Sequence, residues 1–276
     1  MVRGFLVSRN KGSLRMVWTV TKNGLRSYLV GTAHWFPFSF HASLTHLYKQ
    51  VDTTILEGPL DEASMQLVAE HGRQTDGSAS LQGLVTPQAI DLLNQVLGQR
   101  LVEQSEGDLS SLFQNISNQH YQTMIEGVRP WMAFFSIWSL YLGWKYSVDM
   151  EAYQLACKMG KEVHFLETIA EQLTVLDNIP LEKFVGHLND VSTWSVYQHQ
   201  YVDAYLNGEL KKLLGLSKQF PTRTPIVLSQ RDKVLFERMQ PFFSSRPSVA
   251  FVGLSHIPGV SELLIENGYE VSQGFV

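Results

Sequence analysis

One short pattern occurs twice in this chain, near its two ends: an apolar run, a glycine, two residues and a histidine. The copies are Ser27-Tyr28-Leu29-Val30-Gly31-Thr32-Ala33-His34 and Val249-Ala250-Phe251-Val252-Gly253-Leu254-Ser255-His256. Tyr28, Leu29 and Val30 suit a pleated, buried strand, and Gly31 lets the backbone turn or pack where a side chain would obstruct it. Each histidine is therefore expected just past the carboxyl end of a strand.

Two further runs end on polar residues. Thr53-Thr54-Ile55-Leu56 leads into Glu57-Gly58-Pro59, and Glu162-Val163-His164-Phe165-Leu166 leads into Glu167-Thr168. In open α/β sheets, ligands collect beyond the carboxyl ends of the strands. If these four strands share one parallel sheet, two imidazoles and two carboxylates meet at one edge.

The 276 residues, 44% of them hydrophobic, are enough to bury a large core. We expect one domain, its α/β sheet mostly parallel and built from both ends of the chain, with a helical cap from the middle, roughly residues 60–145 and 175–225. With 26 acidic against 22 basic residues and no basic block, nucleic acid is not an expected partner. The single cysteine, Cys157, rules out an internal disulfide and a thiolate zinc cluster. The apolar stretch 131–144 is shorter than the roughly 20 residues of a membrane span and reads as a buried helix. No signal peptide is visible over 1–11, so a cytoplasmic location is expected.

In order, the chain opens with a hairpin, 14–20 and 25–30 around Lys22-Asn23-Gly24. An aromatic loop, Trp35-Phe36-Pro37-Phe38, follows His34 and is placed to wall a pocket. Helices are expected over 43–48, 86–97, from 130 onward, over 149–159 with Gly160 ending it, and over 181–214 with a break at Asn207-Gly208 and a stop at Gly215. The α/β rhythm returns with a helix over 229–239, the strand 249–252, a helix over 260–266 and a closing strand 269–271.

These residues together resemble the TraB/GumN/TIKI family. The likeness rests on the two glycine–histidine motifs, Leu56-Glu57, the segment from Gly160-Lys161 to Leu166-Glu167-Thr168, Arg129-Pro130-Trp131, Arg231-Asp232, Gly259 and Asn267-Gly268-Tyr269-Glu270-Val271. It implies an α/β fold related to erythromycin-esterase-like and ChaN-like proteins, and the metal-dependent peptidase activity of the animal TIKI members. This chain has Asp232 where the family usually has asparagine, and shows neither the export nor the anchor signal of TIKI proteins, so their substrate is not carried over. Asp149 stands where the family often has an acid, and is expected to hold a ligand histidine from behind.

Two imidazoles with carboxylates suit a divalent Zn, Mn, Co or Fe ion, which would acidify a bound water and polarise a carbonyl. The expected reaction is hydrolysis of a peptide or a small amide or ester. His34, His256, Glu57 and Glu167 are the expected metal ligands, with one glutamate taking a proton from water and Arg231 meeting a developing oxyanion or a substrate carboxylate. Two other readings stay open: metal-free hydrolysis with His34 as base beside Glu57, and a non-catalytic binder of haem or of a peptide signal. His164 is expected to be structural. His41, His46 and His71 read as solvated, with His41 near enough to the aromatic loop to touch a substrate, and Cys157 as a small core residue.

Overall fold

The computed structural model describes residues 13–73, 79–104, 119–225 and 227–274. The chain opens with the expected hairpin, β1 (Val17–Lys22) and β2 (Leu25–Thr32). They pair antiparallel around Asn23 and Gly24, whose φ values of 50° and 80° make the left-handed turn that an Asn-Gly dipeptide favours. Helix α1 (His41–Tyr48) then carries the chain to β3 (Thr53–Leu56).

A long helical excursion follows. It comprises α2 (Glu62–Gly72), α3 (Pro87–Gln104), α4 (His120–Ile125), α5 (Pro130–Leu142) and α6 (Val148–Lys158). Strand β4 (Glu162–Phe165) leads to α7 (Ile169–Asp177), α8 (Leu181–Asn189), α9 (Trp194–Asn207) and α10 (Leu210–Leu216). The chain closes with α11 (Ser229–Ser245), β5 (Ser248–Gly253), α12 (Ile257–Glu266) and β6 (Glu270–Gln273).

The six strands form one sheet in the order β4-β3-β5-β2-β1-β6. The first four run parallel, with Leu56 opposite both Phe165 and Phe251, and Val30 also opposite Phe251. Strand β1 is antiparallel to β2 and to β6. The sheet thus combines strands from both ends of the chain, as expected, with β5 inserted between β3 and β2. Five of the six residues of β5 are buried, and its terminal Gly253 is half-buried.

Two apolar clusters hold the molecule together. One lies on the sheet and includes Leu29, Val30, Ile55, Phe251, Phe36, Phe40 and Tyr205. The other lies among the excursion helices and includes Leu93, Trp131, Phe134, Trp138, Phe184 and Trp194. Trp131, Phe134, Trp138 and Tyr141 fall on one face of α5 at helical spacing and are buried there. Among the described residues no helix is long and apolar enough to cross a membrane.

Several local expectations differ from what forms. Helix α10 runs through Gly215 to Leu216, because Leu213 is buried on the sheet cluster and the Ser217 N–H closes onto its carbonyl at 3.0 Å. Helix α11 continues past Met239 and through Pro241 to Ser245, with Phe243 buried beyond the proline; that burial offsets the missing backbone donor. The segment 175–225 is not all cap: Ala204, Tyr205 and Leu213 belong to the sheet cluster. Cys157 is exposed near the end of α6, which corrects its expected place in the core.

Candidate functional site

The backbone decides first which side chains can meet. Beyond the ends of β3 and β4 the ladder continues, since the Leu166 N–H donates to the Leu56 carbonyl and the Glu167 N–H to the Glu57 carbonyl, both at 2.8 Å. Two glutamates are therefore held side by side at the sheet's edge. Both are nearly out of solvent, with side chains 13% exposed for Glu57 and 3% for Glu167. Two adjacent buried carboxylates repel and need a cation between them.

Arg231, in the first turn of α11, supplies it. Its Nε donates to Glu167 Oε1 at 2.7 Å and its Nη2 to Glu167 Oε2 at 2.5 Å, and the same Nη2 pairs with Glu57 Oε1. The other Glu57 oxygen accepts the Gly253 N–H at 2.7 Å. Burial alone would raise the Glu57 pKa, but Arg231, followed by the nearby His256 and His34 and the Gly253 amide, brings it down to about 2. Burial likewise opposes the charge of Arg231, and the two carboxylates more than restore it, raising its pKa.

His256 sits in this network at the end of β5. Its Nδ1 contacts Asp232 Oδ1 at 2.6 Å, and Arg231 Nη1 lies 3.4 Å from its Nε2. Asp232 as acceptor puts a proton on Nδ1, so the lone pair sits on Nε2, facing the guanidinium. The side chain is only 3% exposed. Gly259, in the first turn of α12, makes the arrangement fit, because a Cβ there would lie 2.1 Å from Asp232 Oδ2. The motif glycine Gly31 has a similar part: a Cβ on it would stand 2.7 Å from Leu254 in the turn that presents His256.

His34 differs in a way that its matching motif does not announce. Its Nδ1 contacts Asp149 Oδ2, at the start of α6, at 2.9 Å, yet 63% of its side chain is accessible. Burial of the ring within the protein lowers its pKa, but Asp149, as neighbour and as hydrogen-bond partner, outweighs this and Glu57 adds to it, raising the value to about 9. The ring opens onto a cleft of about 1620 Å³ whose lining includes Glu57, Arg231, Gly253 and His256. Aromatic side chains from Trp35, Phe135, Trp144, Tyr197, Tyr201 and Phe220 also line it. Of the aromatic loop, Trp35 reaches the cleft while Phe36 turns into the core.

The expected site residues His34, Glu57, Glu167, Arg231 and His256 are thus gathered at one edge, with Asp149 behind His34. Their arrangement is not the four-ligand shell expected for a divalent metal. Glu57 and Glu167 already neutralise Arg231, and among the described residues no group of three or more His, Cys, Asp or Glu side chains is placed to hold a metal ion. Asp232, which the sequence marks only by its departure from the usual asparagine, is the partner of His256. The signal that could have found it was its position one residue after Arg231, at a helix start.

The other histidines lie elsewhere. His164 packs on the Phe242 ring at 4.4 Å and pairs with Glu162. His71 is not simply solvated: it contacts Asp177 at 2.7 Å, and Asp177 also accepts the Trp131 indole N–H at 2.9 Å. His46 is near Gln50, and His41 is exposed at the start of α1, outside the cleft lining.

A family model described as TraB/PrgY/gumN matches residues 16–273, nearly the whole chain. The chain belongs to the TraB/PrgY/gumN family. No curated protein matches it significantly. Within this TraB/PrgY/gumN member, the matched region includes every residue of the strand-end cluster.

Proposed function

We propose that this TraB/PrgY/gumN protein hydrolyses an amide or ester bond in the cleft at the sheet's carboxyl edge, with His34 taking the proton from the attacking water. The observation that carries this is an imidazole held through Nδ1 by a carboxylate while most of the side chain faces an open cleft. Asp149 fixes the tautomer and orientation and stabilises the imidazolium that forms, the division of labour of a histidine–carboxylate pair in acyl transfer.

The other members take supporting parts. A carboxylate with a pKa near 2 is a weak base, so Glu57 does not suit proton abstraction. Glu57 and Glu167 hold Arg231, and Arg231 with Asp232 fixes His256, which is too buried to meet a substrate without movement. Because His34 must be neutral to act, turnover is expected to rise with pH toward about 9.

A divalent ion is a second reading, favoured by the carboxylate on Nδ1 of each motif histidine, the usual support behind a metal-ligating imidazole. His34, open to the cleft, would hold the ion, and His256 would join it only if Arg231, 3.4 Å from its Nε2, moved away; the ion would supply a more acidic water. Activity on peptide and ester reporters, measured with chelator and with added Mn, Co or Zn, tests both. Turnover that survives chelation and is lost in His34→Ala supports the imidazole base. Turnover that returns only with metal supports the second reading, and turnover unaffected by His34→Ala sinks both.

A further inference from the structure

The cap side of the cleft holds a cation that the strand-end cluster does not use. Arg223 lines the cleft between α10 and α11. Its Nη2 donates to Ser217 Oγ at 2.6 Å, and Ser217 in turn donates to the Leu213 carbonyl at 2.8 Å. The guanidinium is therefore aimed by a buried hydroxyl. Among the described residues no carboxylate is paired with it; the groups that act on its charge are the phenols of Tyr201 and Tyr197. Burial works against this charge, and the two phenols offset it only in part.

A half-buried, oriented and unmatched guanidinium on the wall of a cleft is chemistry for an anion, above all one that accepts two parallel N–H bonds. The surroundings narrow the class. Trp35, Phe135, Trp144 and Phe220 give the cleft apolar and aromatic surface, while Ser136 and Gln154 interleave hydrogen-bonding groups. A plain alkyl chain has no use for those groups, whereas a peptide backbone does. The volume, about 1620 Å³, exceeds the roughly 300–1,000 Å³ of an ordinary small-molecule site and leaves room for several residues.

We propose that Arg223 is a carboxylate-anchoring subsite, and that the cleft takes a short apolar peptide with its free C-terminus on Arg223 and an upstream bond toward His34. This deepens the hydrolase reading and rests on it for the second half alone. The subsite itself is tested by equilibrium binding.

The probes are N-acetyl-Phe-Leu-Phe-Leu with a free carboxylate, the same peptide as its C-terminal amide, and dodecanoate, each titrated into the full chain by calorimetry. Loss of a charge-assisted bidentate contact is expected to weaken the amide about tenfold or more relative to the acid. Arg223→Met is expected to abolish that preference and Arg223→Lys to keep part of it, in proteins whose melting curves show them folded. Equal binding of acid and amide to the wild type overturns the proposal, as does a preference that survives Arg223→Met, or no binding at all. Tighter, Arg223-dependent binding of dodecanoate overturns the peptide assignment. A chain that discriminates in this way, also as His34→Ala, yet cleaves nothing upholds the subsite and sinks the hydrolase reading; one that cleaves without discriminating does the reverse.

Discussion

Arg231→Met tests the central electrostatic claim, because it removes the cation and leaves Glu57 and Glu167 side by side with little access to water. Removing one partner of a buried ion pair costs about 3–5 kcal/mol, chiefly through the charge left uncompensated. For a chain of this size, at about 2–4 °C per kcal/mol, the melting temperature is expected to fall by about 6–20 °C at pH 7.5. The pH dependence has a definite sign. Arg231 and the other groups around Glu57 hold its folded pKa near 2, below the ordinary 4.5, so its contribution is present above 4.5 and lost as pH falls through 2. In the variant the uncompensated carboxylates are relieved by taking up protons, so the gap from wild type is widest near neutrality and narrows as the pH falls. Thermal melts followed by circular dichroism at pH 7.5 and pH 4 read both effects. Adding Glu57→Gln and Glu167→Gln to Arg231→Met is expected to restore most of the loss, since a missing charge partner no longer matters when the charges are gone. A variant that melts within 2 °C of wild type at pH 7.5, roughly what 1 kcal/mol would move it, refutes the reasoning. So would a triple variant no better than the single one.

Asp149→Asn is expected to move the His34 titration down from about 9 toward the ordinary 6.5, because the carboxylate that raised it most is gone; NMR of the ring protons follows this directly, and an unmoved midpoint removes Asp149 from its assigned part. Gly259→Ala forces a Cβ to within 2.1 Å of Asp232 unless the carboxylate shifts, so it should destabilise the chain by about 1–3 kcal/mol in urea titrations and free the His256 ring from its partner. An alanine variant as stable as wild type would show that α12 can move aside.

What the sequence reveals here is local. Asn23-Gly24 marks the hairpin, the runs before Gly31, Glu57, Glu167 and Gly253 mark strands by their apolar residues, and the polar residue after each strand marks the edge where ligands gather. What it hides is pairing. Nothing in the spacing says that β3 lies between β4 and β5, and that neighbourhood is what presses Glu57 against Glu167 and calls for Arg231. The inequivalence of His34 and His256 is hidden for the same reason. After His34 the chain enters a loop beneath the cap and leaves the ring open, whereas after His256 it enters α12, which closes over it. Arg223 stands in no motif, and its isolation from any described carboxylate is a fact of three dimensions.

The insertion of β5 between β3 and β2 has a consequence for synthesis. A growing polypeptide that has left the ribosome only as far as Ser245 owns two unjoined strand pairs, β1–β2 and β3–β4, each with an unzipped hydrogen-bonding edge where the fifth strand, β5, must lodge. The strand-end cluster therefore assembles all at once, when β5 inserts, and a premature stop before Ser248 should yield a species prone to self-association that lacks Gly253 and His256 at this edge.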